Sequence, residues 1–128
     1  MEIPSLDKWI KEAKQDKDAA KCGMYLFHNG VVRETPKAKV RLGEDTDKIV
    51  KELGFSYDEE KVKKAIEETY KLPGIYYIKV WLNTGTLQIG DDIMLVLVGG
   101  DIRPHVIDAL QSLVGTIKNE CVIEKEEY

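Results

Sequence analysis

The sequence predicts an α+β domain whose strands form a mixed or antiparallel sheet. Helical and strand patterns follow one another in the order helix, strand, helices, three strands, helix, strand. The 128 residues suffice for one compact core and are too few for two ordinary domains, so residues 1–128 are predicted to fold as one unit. The composition, 43% hydrophobic and 33% charged, is that of a folded chain rather than a disordered one.

The N-terminal part of the chain predicts a helix, a strand and a loop. Apolar residues recur at helical spacing over residues 4–15, which predicts a helix within an N-terminal helical segment, residues 1–20. The short apolar and aromatic run over residues 22–28 predicts a strand that ends at Asn29-Gly30. Residues 31–42 contain few core-sized side chains, which indicates a loop.

The middle of the chain predicts two helices and then three strands. Apolar spacing predicts helices over residues 46–53 and 58–72. The β-branched and aromatic run over residues 75–82 predicts a strand, and a glycine-containing turn leads from it into a short second strand. Residues 93–98 are almost continuously apolar, a pattern typical of a strand buried on both faces, so we expect this strand to be central.

The C-terminal part predicts a long helix and a final strand. Gly99-Gly100 is expected to break the central strand, and Pro104 to open the longest amphipathic helix, because proline fits the first turn of a helix. Lys118 lies at the C-terminal end of that helix. Residues 121–128 predict a short returning strand.

Charge and motif content exclude several classes of function. With 19 basic and 23 acidic residues the net charge is -4, which argues against binding to DNA or RNA. No apolar stretch approaches the roughly 20 residues of a membrane span, and the charged N-terminus is not a signal peptide, so we expect a cytoplasmic protein. The two cysteines and two histidines lack metal-ligand spacing, so no metal site is predicted. The P-loop, the dinucleotide fingerprint and the nucleophile elbow are all missing from the sequence.

The rare arginines are candidates for anion binding, because Arg binds carboxylate or phosphate through two parallel hydrogen bonds. Arg33 follows a strand bend, where a loop could present it to an anion. Arg103 lies in the first turn of a helix preceded by Gly99-Gly100, where backbone amides favour an anion. Alternatively, the arginines are surface charges that only increase solubility. The two glycines would then only allow the backbone to turn from the strand into the helix.

Lys118 and Lys125 form a second candidate site. One ends a helix and the other lies on the returning strand, so the reversal between them could bring both ammonium groups to one cleft. Two close ammonium groups lower each other's affinity for a proton, which makes a lysine a usable nucleophile or general base. The alternative is two solvated surface lysines.

A set of spaced residues resembles a known family. The set consists of Gly30-x-x-Arg33, Gly85-x-Leu87-x-x-Gly90-Asp91, Arg103, and Lys118 followed by Lys125. It is similar to the catalytic large subunit of molybdopterin synthase, the MoaE family. The resemblance implies an α/β hammerhead fold with an additional small antiparallel sheet. It also implies a homodimer at the centre of a heterotetramer, in which each large subunit receives the C-terminal Gly-Gly tail of a small ubiquitin-like sulfur carrier.

The same resemblance implies a reaction and a role for each site residue. The family converts cyclic pyranopterin monophosphate into molybdopterin, taking two sulfurs from thiocarboxylates on successive small subunits to build the dithiolene, with no metal or further cofactor at this step. Lys118 would be the principal catalytic lysine, and Lys125 its partner in acid–base or electrostatic work. Arg33 and Arg103 would bind the pterin and its phosphate. Glu127 matches an acidic position of the family and would also contribute to substrate binding.

The chain departs from the family pattern at several places, including His28, where an aromatic residue is common. Ile102 stands where a histidine is usual, and Leu82-Asn83 replaces a His-Arg pair. Residues 37–57 match poorly and contain an apparent insertion. Two alternatives therefore stay open: a non-catalytic member of the same fold that binds the carrier tail, and a phosphorylated-ligand binding domain built on the Gly-Gly turn before Arg103.

Overall fold

The computed structural model describes residues 3–44 and 46–128, which form two three-stranded antiparallel sheets flanked by helices. The helices are α1 (Leu6–Lys14), α2 (Lys37–Leu42), α3 (Glu59–Tyr70) and α4 (Arg103–Thr116), with a 3₁₀ turn at Ala19–Lys21 and a π-helical turn at Ile117–Cys121. The strands are β1 (Met24–Val31), β2 (Glu52–Tyr57), β3 (Ile75–Leu82), β4 (Gly85–Gln88), β5 (Asp92–Gly100) and β6 (Val122–Glu127). The strand order is β1-β5-β3 in the first sheet and β4-β2-β6 in the second.

The first sheet is the layer around which the core is built. Its central strand, β5, is antiparallel to both β1 and β3, and its side chains from Ile93 to Val98 are at most 6% exposed. Trp9 and Ala13 of α1 pack on one face with Leu95 and Leu97. Helices α3 and α4 contribute to the core on the other face. The prediction of a central strand buried on both faces is confirmed.

Helix α4 and the π-helical turn that follows it form one continuous buried stripe. Val106, Ala109 and Leu113 of α4 are fully buried against the first sheet. Ile117 and Cys121 continue this stripe at the two ends of the π-helical turn, and they are 0% and 4% exposed. The turn is therefore anchored at both ends, and the residues between its anchors point away from the core.

The structure corrects two predictions in the middle of the chain. The predicted helix over residues 46–53 is wrong, because its last two residues belong to β2, which pairs with both β4 and β6. Leu53 and Phe55 alternate as buried residues on β2, so sheet pairing outweighs the local helical spacing. The loop predicted over residues 31–42 contains α2, which begins after Pro36.

Two further boundaries differ from the prediction. Strand β1 continues through Asn29-Gly30 to Val31, with a register shift after Gly30 that forms a bulge. Helix α1 covers only part of the N-terminal helical segment predicted over residues 1–20, and a separate 3₁₀ turn follows it. Residues 1 and 2 of that segment lie outside the described residues.

Gly99 and Gly100 lie within β5 and do not break it. A Cβ atom at Gly99 would lie 2.6 Å from the ring of Tyr25. One at Gly100 would lie 2.5 Å from the carbonyl oxygen of Gly74. Close packing therefore requires both glycines, and their amides pair within the sheet instead of forming an open cradle for an anion.

Candidate anion-binding site

A pocket of about 220 Å³ lies between the end of β1, helix α2 and strand β6. Its charged lining residues are Arg33, Lys37, Arg41, Lys118, Glu124 and Glu126, with His28 beside them. Among the described residues these are four cations and two carboxylates, so cationic side chains are in excess by two when the histidine is neutral. Such a pocket is suited to an anionic ligand.

The backbone before Arg33 is held on both sides. The Val32 N–H donates to the Asp91 carbonyl at 3.0 Å, and the Gly90 N–H donates to the Val32 carbonyl at 2.9 Å. The Val32 side chain is also buried. The exposed Arg33 side chain therefore starts from an anchored point, which is the arrangement expected of a loop residue that receives a ligand.

Lys118 lies on the π-helical turn, between the buried Ile117 and Cys121, and is half-buried itself. Burial is the main cause that lowers the pKa of Lys118 from its ordinary value of 10.5. The carboxylate of Glu124 opposes this change, and the other three cations of the pocket add to it. The site thus holds an amine that loses its proton more easily than a surface lysine.

His28 shares the pocket from the β1 side. Burial lowers its pKa, and the positive charge of Lys118 lowers it further. Both causes favour the neutral imidazole, so His28 adds no positive charge near neutral pH.

The two carboxylates reach the pocket from the inward face of β6. Glu126 Oε2 accepts a hydrogen bond from the backbone N–H of Lys37 at 2.9 Å, and its Oε1 accepts one from the Tyr128 hydroxyl at 3.2 Å. Glu124 Oε2 lies 3.8 Å from Lys37 Nζ. Glu124 Oε1 is buried and has no hydrogen-bond partner within residues 3–44 and 46–128.

Lys125 and Glu127 lie on the opposite face of β6 from the pocket. Lys125 Nζ is 3.5 Å from Glu127 Oε1, and these side chains are 79% and 50% exposed. Successive side chains of a strand point to opposite faces. Because Glu124 points toward the pocket, Lys125 points toward solvent. The structure therefore does not bring Lys118 and Lys125 into one cleft within the chain.

Arg103 is the first residue of α4, and Lys118 follows the other end of that helix. At 1.5 Å per residue the two are about 20 Å apart along the axis, so Arg103 does not line the pocket of its own chain. Asp101 lies just before the start of α4. Its Oδ1 accepts a hydrogen bond from the Ile102 N–H at 2.6 Å and lies 2.8 Å from His105 Nδ1. The hydrogen bond to His105 is the main cause that lowers the pKa of Asp101.

Four charged residues of this pocket were not predicted as site residues: Lys37, Arg41, Glu124 and Glu126. Lys37 and Arg41 are four residues apart, which places them on the same side of α2. This spacing is informative only in a helix, and the sequence predicted a loop for this segment. Glu124 lies in an acidic C-terminal segment, in which the sequence does not distinguish a buried carboxylate from a solvated one. Its inward orientation depends on the register of β6 against β2, where Glu124 lies opposite the buried Phe55.

A larger and more open groove, of about 820 Å³, lies between α3 and the end of α4. Its charged lining residues are Lys61, Lys64, Glu68 and Glu120. These charges balance, so the groove shows no preference for an anion. The smaller pocket around Lys118 is therefore the better candidate for the site.

The described residues offer neither a metal site nor a membrane-spanning helix. No group of three or more His, Cys, Asp or Glu side chains within residues 3–44 and 46–128 could hold a metal ion. None of the helices in the same two ranges is long and apolar enough to cross a membrane.

The fold and the pocket define a small α+β protein with two antiparallel sheets and a cation-lined site beside a half-buried lysine. The chain belongs to the MoaE family, whose model, described as "MoaE protein", matches residues 4–120. That match includes Arg33, Arg103 and Lys118, and it ends before Lys125 and Glu127. No curated protein sequence matches the chain significantly. Membership of this family supports a role in molybdopterin biosynthesis.

Solved structures agree with the family assignment at the level of the fold. A molybdopterin synthase from Staphylococcus aureus is similar with a TM-score of 0.75 and 20% identity, over 100% of this chain and 88% of that one. A molybdopterin biosynthesis MoaE protein from Burkholderia ambifaria has a TM-score of 0.75 and 17% identity, over 100% and 80%. A complex of subunits 1 and 2 of molybdopterin-converting factor from Helicobacter pylori has a TM-score of 0.64 and 17% identity, over 95% and 78%. The expected fold, helices with small antiparallel sheets, is confirmed.

Proposed function

We propose that this chain is the large, catalytic subunit of a molybdopterin synthase. It transfers sulfur from a thiocarboxylated small subunit to cyclic pyranopterin monophosphate and so forms the molybdopterin dithiolene. The observation that carries this proposal is the half-buried Lys118 next to Arg33 in a pocket with an excess of cations. Both reactants, a thiocarboxylate and a cyclic phosphate, are anions that such a pocket attracts.

Lys118 is the principal catalytic group in this proposal. Its lowered pKa makes the neutral amine accessible, so the side chain can take up a proton in one step and stabilise a developing negative charge in another. Arg33 binds the phosphate or the pterin, since its guanidinium is exposed at the mouth of the pocket while its backbone is anchored. The sulfur comes from the small subunit, and this step uses no metal or other cofactor.

Lys125, Glu127 and Arg103 act from outside the pocket of their own chain. Arg103 can reach a pocket of this kind only from another copy, because α4 separates it from Lys118. A homodimer, the assembly we propose, supplies that second copy. Lys125 remains the acid–base or electrostatic partner of Lys118. Glu127, whose carboxylate lies 3.5 Å from Lys125 Nζ, remains a proposed substrate-binding residue.

The proposed partner is a small ubiquitin-like subunit that ends in Gly-Gly. The similarity to a complex of two molybdopterin-converting factor subunits supports a small-subunit partner. Two such partners on a central homodimer make a heterotetramer. The negative net charge gives no reason to expect nucleic acid, and we place the reaction in the cytoplasm.

One assay tests the proposal. The chain is incubated with a thiocarboxylated small subunit and cyclic pyranopterin monophosphate, and the molybdopterin formed is measured. We expect product from the unaltered chain and none above background from Lys118→Ala, with Lys39→Ala as a matched control on the same surface. Product formation that is equal in Lys118→Ala and in the unaltered chain would refute the catalytic role.

A non-catalytic binding module is the second candidate, favoured by Ile102 in the place of the family's histidine. It predicts tight binding of the small subunit with no product in the same assay. Absence of binding would exclude both candidates. The third possibility, a phosphorylated-ligand site on the Gly-Gly segment, loses its basis because Gly99 and Gly100 are paired and packed within β5.

A further inference from the structure

Helix α2 contributes half of the cations of the pocket. Lys37 and Arg41, one turn apart on this helix, line the cavity together with Arg33 and Lys118. Helix α2 has no buried residue, so packing of its own side chains does not explain its position. The backbone N–H of Lys37 is instead bonded to Glu126 on β6, which fixes the start of the helix over the pocket.

Glu124 is poorly satisfied where it lies. Its Oε1 is buried without a hydrogen-bond partner within the described residues, and its Oε2 is 3.8 Å from Lys37 Nζ, beyond hydrogen-bond distance. A buried oxygen of this kind is less stable than one that accepts a hydrogen bond, because it has lost its contacts with water and gained none in return. The carboxylate is nevertheless held among cations, which is the position that an external anion would take.

We propose that α2 is an additional anion-binding element of this site, in which Lys37 and Arg41 bind the ligand and Glu124 is the internal carboxylate that the ligand replaces at Lys37. This inference rests on the proposed function for the identity of the ligand, an organic phosphate or a thiocarboxylate. Glu124 competes for Lys37 until the ligand arrives.

The test uses a ligand that does not depend on the enzymatic reaction. Binding of inorganic pyrophosphate to the full chain is measured by titration calorimetry at low salt, for Lys37→Gln, Arg41→Gln and the unaltered chain. Lys39→Gln is the matched control, since Lys39 lies on the same helix and outside the pocket lining. We expect Lys37→Gln and Arg41→Gln each to weaken binding about tenfold and Lys39→Gln to leave it unchanged. Thermal unfolding of each variant checks that the fold is intact.

Glu124→Gln supplies the second half of the test. Removal of the competing carboxylate strengthens pyrophosphate binding about threefold, and the gain disappears when Lys37→Gln is also present. Weaker binding in Glu124→Gln would show that Glu124 does not compete with the ligand and would overturn its proposed role. Equal affinities of Lys37→Gln, Arg41→Gln and Lys39→Gln, or no saturable binding to the unaltered chain, would overturn the role of α2.

Failure of this inference is distinguishable from failure of the proposed function. If the chain binds pyrophosphate as expected and forms no molybdopterin, the anion site stands and the enzymatic assignment fails. If it forms molybdopterin while pyrophosphate binding is insensitive to Lys37→Gln and Arg41→Gln, the assignment stands and the role of α2 fails.

Discussion

Strand β6 separates two regions that contain the same residue types in different environments. On its inward face, Glu124 lies among the cations of the pocket and near the half-buried Lys118. On its outward face, Lys125 and Glu127 form an ion pair, with side chains 79% and 50% exposed. An exposed pair of this kind contributes about 0–1 kcal/mol to stability, and water screens its charges.

The difference teaches that the surroundings of a lysine decide its chemistry. Lys118 is crowded by cations and partly removed from water, and both conditions favour its neutral form. Lys125 has a carboxylate partner, and its side chain is 79% exposed. Of these two lysines, Lys118 is the one whose surroundings activate an amine.

The largest expected effect is on catalysis. Lys118→Ala should lower the rate of molybdopterin formation by about 10²–10⁴, the usual contribution of a positioned acid–base group. Lys125→Ala should lower it by only about tenfold, because an exposed side chain contributes through a screened charge. Single-turnover rates measure both effects. Equal losses of rate in the two variants would show that Lys125 enters the pocket during the reaction. The two faces of β6 would then not differ in their contribution to catalysis.

The second largest expected effect is on the free energy of unfolding. It differs between residues on the two faces of the second sheet. Leu53 on the inward face is 5% exposed, whereas Ile123 on the outward face is 72% exposed. Leu53→Ala should lower the free energy of unfolding by about 2–5 kcal/mol, because it removes buried methyl groups and leaves a cavity. Ile123→Ala should change it by less than about 0.5 kcal/mol. Urea unfolding measures both values, and a large loss in Ile123→Ala would mean that a partner covers the outer face.

The smallest effect is the pH dependence of stability that Lys118 contributes. Its pKa is lowered from 10.5 in the folded chain, so between the lowered pKa and 10.5 the unfolded chain binds more protons. The free energy of unfolding therefore rises as the pH rises through this window, and the charged form of Lys118 destabilises the fold below it. Lys118→Gln should lack this rise. Urea unfolding at a series of alkaline pH values checks it, and identical profiles for both proteins would contradict the lowered pKa.

Local sequence patterns predicted much of the fold. The apolar run Ile93–Val98 and the amphipathic pattern after Pro104 correspond to the central strand β5 and to helix α4. Both elements follow from periodicity and length, which reside in the segment itself. The prediction failed over residues 46–53, where pairing of β2 with β4 and β6 prevails over helical spacing, and over residues 31–42, where α2 forms.

The sequence by itself determined which residue types are available for an anion site: rare arginines, many lysines and no metal-ligand pattern. It also carried the spaced residues by which the MoaE family was identified. Tertiary structure alone decided which charges meet. The register of β6 against β2 turns Glu124 inward and Lys125 outward, and the position of α2 brings Lys37 and Arg41 to the same pocket as Lys118. These relations depend on strands and helices distant in sequence, because electrostatic interactions follow distance in space and not separation along the chain.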